Sequence, residues 1–505
     1  MRSNDVLTLK DGIIKVPFLV KGKLIVPPRI DRDIIEKAFS SADTGTTYVQ
    51  LTEAQVIREP VIDRKAMKYT GDDIYQLMPM FTAKDLIETD FDMLSNTLYS
   101  LSVDDILDYL DTILAYLCKN KKLTSQIAEL YGMTSEYPDT LLDKWFASMT
   151  ETLNRKNALQ MIDAELSYNG KPGRDFLNGW VKIDGEMSYI RAMPTRQLHI
   201  TAGNVPEVPI ISTLRAVLTK SAVVIKLPYG AILPGVLFAM TAAEAAPEHP
   251  ITQNLSLVYW QGGDKSIENE LFAPNAFDRI VVWGGPGTIA NVQSKTPFTK
   301  TISLNPRYGI SLIGKEAFAG RLQEAIDRAL TDVIAYNQKA CISSLVHYVE
   351  GTEEQADEYA KCLQQALAKW GKKIPSFVSP DAVGQVKRMK RGRYANAKWY
   401  LNYEGEDFMS GAVVITGEFD ILDHPASRLV VVRPVTILED ALKYVHQSVS
   451  AVGVFPEERR EELKDRILAR GVSSVLPLGQ CERVFAGMPH DGMMILNQLV
   501  DWKVG

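Results

Sequence analysis

The spacing of apolar residues gives the chain distinct textures. From Leu198 onwards, short apolar runs alternate with helix-length segments: His199-Ile200, Ala222-Val223-Val224-Ile225, Leu255-Ser256-Leu257-Val258-Tyr259 and Ile280-Val281-Val282-Trp283. Such runs predict βα units and a mostly parallel sheet buried on both faces. A second series comprises Ile310-Ser311-Leu312-Ile313, Leu345 to Val349, Val413-Val414-Ile415 and Leu429 to Val432. It predicts a second α/β unit, with a boundary near residue 310. Leu322, Ala325, Ile326, Ala329, Leu330, Val333 and Ile334 recur at helical spacing and predict one inward-packed face. Glu457 to Arg470 predicts a further helix, with Pro456 at its first position, acids in its first turn and Gly471 as its cap.

Residues 1 to about 170 carry a weaker pattern. Val16-Pro17-Phe18-Leu19-Val20 and Lys23-Leu24-Ile25-Val26 flank Lys21-Gly22 and predict a small hairpin. Asp90 to Tyr131 is largely helical, with Leu107, Leu110, Ile113, Leu114 and Leu117 on one face. Asn169-Gly170-Lys171-Pro172-Gly173 marks a turn and a joint. After it, Trp180 to Asp184 and Met187 to Arg191 alternate in period two around Gly185. An isolated ribbon is marginal alone, so this one is expected to lie on another subunit or domain.

Composition narrows the class. At 505 residues the chain exceeds what one hydrophobic core usually supports. With 46% apolar and 23% charged residues it reads as globular, and a net charge of -6 gives no reason to expect nucleic acid or a membrane surface. The cysteines Cys118, Cys341, Cys362 and Cys481 form no CxxC pair, which fits a reducing compartment without disulfides or zinc. The six histidines show no HExxH pattern, so no catalytic metal is expected. Met1 to Asp5 holds no apolar run of signal-peptide type, and Ser221 to Met240 is interrupted by Lys226, Pro228 and Pro234. A cytoplasmic protein without a membrane span is the expectation.

Candidate chemistry centres on Asn337-Gln338-Lys339-Ala340-Cys341-Ile342-Ser343-Ser344. Cys341 falls in a tight connection between the helix ending near Ile334 and a strand at Leu345, where a nucleophile can be held rigidly beside a cleft. Free cysteine also commonly fills space, so the residue alone decides nothing. Gly203-Asn204-Val205-Pro206 follows a strand, and an Asn there can aim its amide at a developing oxyanion or simply make an Asx turn. Lys226 ends the next strand, within reach of ribose hydroxyls, a phosphate or plain solvent. Trp283-Gly284-Gly285-Pro286-Gly287-Thr288 is a strand-to-helix turn without the GxGxxG fingerprint.

Order and spacing sharpen these features. Lys226 lies 22 residues beyond Asn204, a strand-Gly-Gly turn follows, and the cysteine of Gln-x-x-Cys lies 137 residues beyond Asn204. This arrangement resembles the aldehyde dehydrogenase superfamily. Within it, His199-Ile-Thr-Ala-Gly-Asn-Val-Pro206 and Pro489-His490-Asp491-Gly492 resemble the acyl-CoA/acyl-protein reductase branch, typified by the reductase subunit of the bacterial bioluminescence fatty acid reductase complex. The resemblance runs from about residue 175 to the C-terminus, and more loosely across the N-terminal part. It implies an α/β, aldehyde dehydrogenase-like fold with two Rossmann-like domains and a small β oligomerisation flap. Residues 1–310 would hold the N-terminal region and dinucleotide-binding domain, with flap strands at about 175–192. Residues 311–475 would hold the thiol domain, and 476–505 a C-terminal return to the cofactor domain and oligomer interface.

Carried over by position, Cys341 is implied as nucleophile and Asn204 as oxyanion donor. Lys226, Thr201, Gly203, Gly284 and Gly285 are implied as cofactor contacts. His490 would protonate a leaving thiol or aldehyde oxygen, or stand as a surface or interface His beside Asp491. Two departures stand out. Asn305, within Ser303-Leu304-Asn305-Pro306-Arg307-Tyr308-Gly309, replaces the general-base Glu of oxidising members. Leu429 to Pro434 replaces their Glu-x-Phe-Gly-Pro contact to the nicotinamide ribose.

The implied activity is NADPH-dependent reduction, with NADH the other option, of a long-chain fatty acyl-CoA or acyl-protein thioester to the aldehyde through an acyl-cysteine. Missing Glu suits it, because an acyl-enzyme awaiting hydride must resist water. A CoA-acylating aldehyde dehydrogenase for short-chain aldehydes shares the same site chemistry, and a non-catalytic subunit retaining the fold is the rival of another class. An acyl-transferring partner, a homo-oligomer and a place in a fatty acid reductase complex are implied as well. The run Lys387-Arg388-Met389-Lys390-Arg391-Gly392-Arg393 is open to CoA phosphates, to such a partner or to solvent. A nucleophilic thiol at neutral pH further leads one to expect a locally lowered pKa.

Overall fold

The computed structural model describes residues 7–183, 188–483 and 485–505. Its first large sheet has seven strands in the order Lys300–Leu304, Arg279–Trp283, Arg196–Ile200, Ala222–Lys226, Leu255–Val258, Phe18–Val20 and Lys23–Ile25. The first five run parallel, and the predicted Lys21-Gly22 hairpin adds the last two antiparallel. The chain starts at Arg196–Ile200, winds outwards to Leu255–Val258, then returns to the other flank at Arg279–Trp283. That reversal opens a crevice beyond the strand ends at Ile200 and Trp283, where doubly wound sheets bind ligands.

The second sheet also has seven strands: Lys398–Glu404, Asp407–Val414, Leu429–Val435, Ser344–Glu350, Tyr308–Ile313, Val449–Phe455 and Ser474–Pro477. All run parallel except the edge strand Lys398–Glu404. Helix Leu322–Ile334 lays Ala325, Ile326, Ala329, Leu330 and Val333 onto it, as its spacing predicts, with Leu322 half-buried. Glu457–Leu468 is helical too, although Pro456 stands at the N-cap rather than inside the first turn.

The N-terminal region is more ordered than its sequence advertises. Ala54–Asp63 and Lys68–Pro79 form a long antiparallel pair inside a five-stranded sheet. Helices Val103–Lys119, Lys121–Gly132, Asp139–Thr152 and Arg155–Glu165 join one continuous core with the first large sheet, the first two packing on helix Ile232–Ala245. A reciprocal cap between Ser102 and Asp105 starts the first of them.

The ribbon near residue 180 is not isolated. Val181–Lys182 and Tyr189–Met193 pair antiparallel, and the C-terminal strand Asp501–Val504 adds to the latter's free edge. The chain thus supplies its own third strand to the ribbon. The Gly185 turn lies outside the described residues. Asp332, in the helix Leu322–Ile334, steers the chain back towards that strand by accepting the N–H groups of Gly479 (2.8 Å) and Cys481 (3.0 Å).

Candidate active site

The Cys341 turn is built on backbone strain. Beyond Ile334, Tyr336, Asn337 and Gln338 take φ of 51°, 51° and 60°, three successive non-glycine residues in the left-handed region. Each such residue costs on the order of 1–3 kcal/mol and persists only where its surroundings fix it. Here each side chain is pinned. Asn337 donates to Phe377 O (3.0 Å) and accepts from Ser376 Oγ (2.9 Å). Gln338 donates to the carbonyls of Ser344 and Leu429, both at 2.9 Å. Tyr336 donates to Glu207 Oε1 at 3.1 Å. Cys341 follows, half-buried, just before the strand Ser344–Glu350. A Cβ on Gly309 would lie 2.4 Å from Ile342 O, so that glycine lets the central strand reach the turn.

The resting thiol is not activated. Burial pushes the Cys341 thiol up to about 11, and the Asp491 carboxylate adds to the rise. Arg307 and a hydrogen bond with Ser450 oppose it, and lose. The expected lowering is therefore overturned, because desolvation of a thiolate outweighs one partly neutralised guanidinium. Asp491 pairs with Arg307 at 3.6 Å, both largely buried, and burial holds its own pKa above the usual carboxylate range.

His490 is half-buried, edge-on to Trp283 with ring centroids 5.1 Å apart. Its Nδ1 faces Arg215 Nη2 at 3.3 Å. Burial, then the charges of Arg215 and Arg307, drive its pKa down to about 3. A neutral imidazole has no proton of the acidity that the expected acid role requires. His199 is a core histidine, bonded to Ser212 Oγ (3.2 Å) and Gln197 Oε1 (2.9 Å).

Asn204 crosses to the Cys341 turn, its Nδ2 donating to Lys339 O at 2.9 Å. Its own carbonyl accepts the Tyr137 hydroxyl at 2.5 Å. Gly203 has no room for a side chain, since a Cβ would fall 2.4 Å from Tyr229 O. Thr201 spends its hydroxyl on Lys226 O, joining two strand ends. The Lys226 ammonium lies 5.2 Å from the ring centres of both Tyr259 and Trp260, and burial lowers its pKa to about 8. Gly284 and Gly285 lead from the strand Arg279–Trp283 into the helix Pro286–Lys295, where Gly285 is the N-cap.

Asn305 is exposed in the link between the two large sheets. Arg433 turns to Gly417 O (2.7 Å) and the Tyr444 hydroxyl (3.1 Å) within its own sheet. Lys387, Lys390 and Arg391 line a surface cavity with Val386 and Phe408. Among the described residues no group of three or more His, Cys, Asp or Glu side chains is placed to hold a metal ion, and no helix is long and apolar enough to cross a membrane. Glu207, Tyr336 and Arg307 are neighbours of the site that sequence reading did not single out. Only the position of Glu207, three residues after Asn204, could have drawn attention to it.

Residues 98–502 match the family described as acyl-CoA reductase (LuxC). A long-chain acyl-protein thioester reductase of Photorhabdus laumondii is 28% identical over 337 residues, covering 65% of this chain and 67% of that protein. Among solved structures, an aldehyde dehydrogenase from Brucella melitensis biovar abortus superposes with a TM-score of 0.71 at 13% identity, covering 100% of this chain and 98% of its own. The NADP-dependent glyceraldehyde-3-phosphate dehydrogenase of Bacillus halodurans, solved with NADP, gives a TM-score of 0.71 at 14% identity, covering 97% and 98%. At those identities the likeness fixes the fold, which is that of the aldehyde dehydrogenases. The chain belongs to the acyl-CoA reductase (LuxC) family of oxidoreductases.

Proposed function

We propose that the chain reduces a long-chain fatty acyl thioester, carried by coenzyme A or a partner protein, to the aldehyde through an acyl group held on Cys341. One observation supports this most: the Asn204 amide reaches the Cys341 turn, while position 305 offers no carboxylate. Cys341 sulfur attacks the thioester carbonyl, its proton leaving with the departing thiol, so one thioester replaces another. Asn204 holds one amide N–H on Lys339 O and offers the other, with the Cys341 backbone N–H, to the oxyanion. With Asn305 unable to act as a base, water is not activated against the acyl-enzyme. The thiohemiacetal left after reduction collapses to aldehyde and free thiol.

The residues fit a nicotinamide dinucleotide. Among the described residues Lys226 has no carboxylate within ion-pair distance, and the neighbouring Trp260 Nε1 is buried without a partner. Lys226, Thr201, Gly203, Gly284 and Gly285 would hold it at the switch point of the first sheet. Bound and reduced, as NADPH with NADH the other option, it supplies hydride. The thiol near 11 is only about one part in ten thousand ionised at pH 7, so the resting enzyme is guarded against stray electrophiles. In this reading residues 1–310 hold the N-terminal region and cofactor domain, 311–475 form the thiol domain, and the three-stranded ribbon with residues 476–505 makes a homo-oligomer contact.

The test is chemical. Incubation with radiolabelled long-chain acyl-CoA should leave label on Cys341, and NADPH should discharge it as aldehyde. An acylated Cys341→Ala protein would refute the nucleophile assignment.

A further inference from the structure

We infer that Glu207 is a positioning residue for acyl transfer, acting through Tyr336 to fix the Cys341 turn against the Asn204 loop. This rests on the reading of Cys341 as the acyl carrier. Three pins hold the strained turn, and two of them, at Asn337 and Gln338, close on neutral groups of the second α/β unit. The third crosses the cleft, from Tyr336 to a carboxylate that stands three residues beyond Asn204, just before helix Val208–Leu218. Asn204 is itself braced by Tyr137 and bonded to Lys339. The Glu207–Tyr336 and Asn204–Lys339 bonds therefore tie the two halves of the acyl site together just ahead of Cys341 in the turn.

Of these two hydrogen bonds only the first has an ionisable acceptor; the turn is also joined by the ion pair of Lys339 with Glu136, where burial lowers the lysine to about 8. Glu207 Oε2 is buried without a partner, so its charge is satisfied on one oxygen alone. Burial raises the carboxyl to about 7, against the pull of its hydrogen bonds. The groups facing it are the Tyr131 and Tyr137 phenols from the helical layer and Tyr336 from the turn. Lys144 and Glu482 act on it from farther elements. None of the phenols titrates near neutrality, since burial raises all of them. The Tyr336 phenol in turn feels the charge of Cys341. Ionised Glu207 accepts a charge-assisted bond and holds the turn; protonated, it accepts a weaker one.

The experiment follows single-turnover acylation of Cys341 by long-chain acyl-CoA between about pH 5.5 and 8.5, in wild type, Glu207→Gln and Tyr336→Phe. As pH drops through about 7 the wild-type rate should fall more steeply than the thiol's own ionisation requires, an added inflection. Glu207→Gln keeps shape and an acceptor but loses the charge. Both variants should lose the inflection and acylate on the order of tenfold more slowly at the upper end, while nicotinamide affinity stays unchanged. Wild-type rates and profiles in both variants would overturn the inference. Should wild-type Cys341 take no acyl group, the proposed function fails instead. The same profiles are then read from iodoacetamide alkylation of Cys341, where loss of the inflection in both variants supports the latch and its retention overturns it.

Discussion

Replacing Asp491 by Asn should make the Cys341 thiol more acidic. In the wild type the thiol sits near 11, raised first by burial and then by Asp491, with Arg307 pulling the other way. At pH 8 a thiol at 11 is about one part in a thousand ionised, against roughly a quarter for a solvated thiol near 8.5. That is a deficit of about 250-fold in thiolate. The more basic thiolate is intrinsically the better nucleophile, which recovers about tenfold over 2.5 units. Cys341 should thus alkylate about twentyfold more slowly than a solvated thiol at that pH, before any steric cost.

Asp491→Asn preserves shape, removes the opposing charge and frees the Arg307 guanidinium, now 3.6 Å from that carboxylate, to favour the thiolate. The assay is iodoacetamide labelling followed peptide by peptide, with exposed Cys118 as the control for reagent and time. Wild-type labelling of Cys341 should climb about tenfold per pH unit from pH 7.5 to 9.5 without levelling. The variant should label faster and level at lower pH. An unchanged profile, or one displaced to higher pH, would refute the electrostatic reasoning.

Other perturbations separate the parts of the site. Asn204→Ala removes the bond to Lys339 and the proposed oxyanion donor, so acylation should slow roughly a hundred- to a thousandfold while cofactor binding persists; unaltered turnover would remove Asn204 from its proposed role. Gly203→Ala places a methyl 2.4 Å from Tyr229 O, and the forced shift should cost about 1–3 kcal/mol in denaturant unfolding and weaken cofactor affinity. His347 is buried with a pKa driven down to about 3, so the unfolded chain takes its proton first as pH falls below about 6.5, and stability is lost from there towards 3. In His347→Gln the drop in unfolding free energy between pH 7 and 5 should shrink by about 2 kcal/mol, measured by urea titration at both values.

The two large sheets were legible because their strands are buried on both faces, leaving runs such as Ala222 to Ile225 with no polar alternation. The helix before Cys341 was legible from its spacing, and the positions of Asn204, Lys226 and the Gly284-Gly285 turn from order along the chain. The N-terminal sheet was not, because Lys68–Pro79 starts with an exposed, polar half, Lys-Tyr-Thr-Gly-Asp-Asp, that masks the buried half after it. The partner of the ribbon at Val181–Lys182 and Tyr189–Met193 lies some three hundred residues away at Asp501–Val504, beyond any local pattern. The thiol's environment was missed for a similar reason. Asp491, Arg307 and Glu207 surround one turn only after folding, and burial, which dominates the thiol's pKa, leaves no mark on a single residue's identity.

The central claim is that one sulfur carries the acyl group until hydride arrives. Mass spectrometry of the peptide spanning Lys339 to Ser344, after long-chain acyl-CoA alone and then after NADPH, tests it directly. The account predicts an acyl adduct on Cys341 that outlasts incubation in buffer and vanishes with NADPH as stoichiometric aldehyde appears. Acyl adduct on another residue, or release of free fatty acid in place of aldehyde, would contradict it.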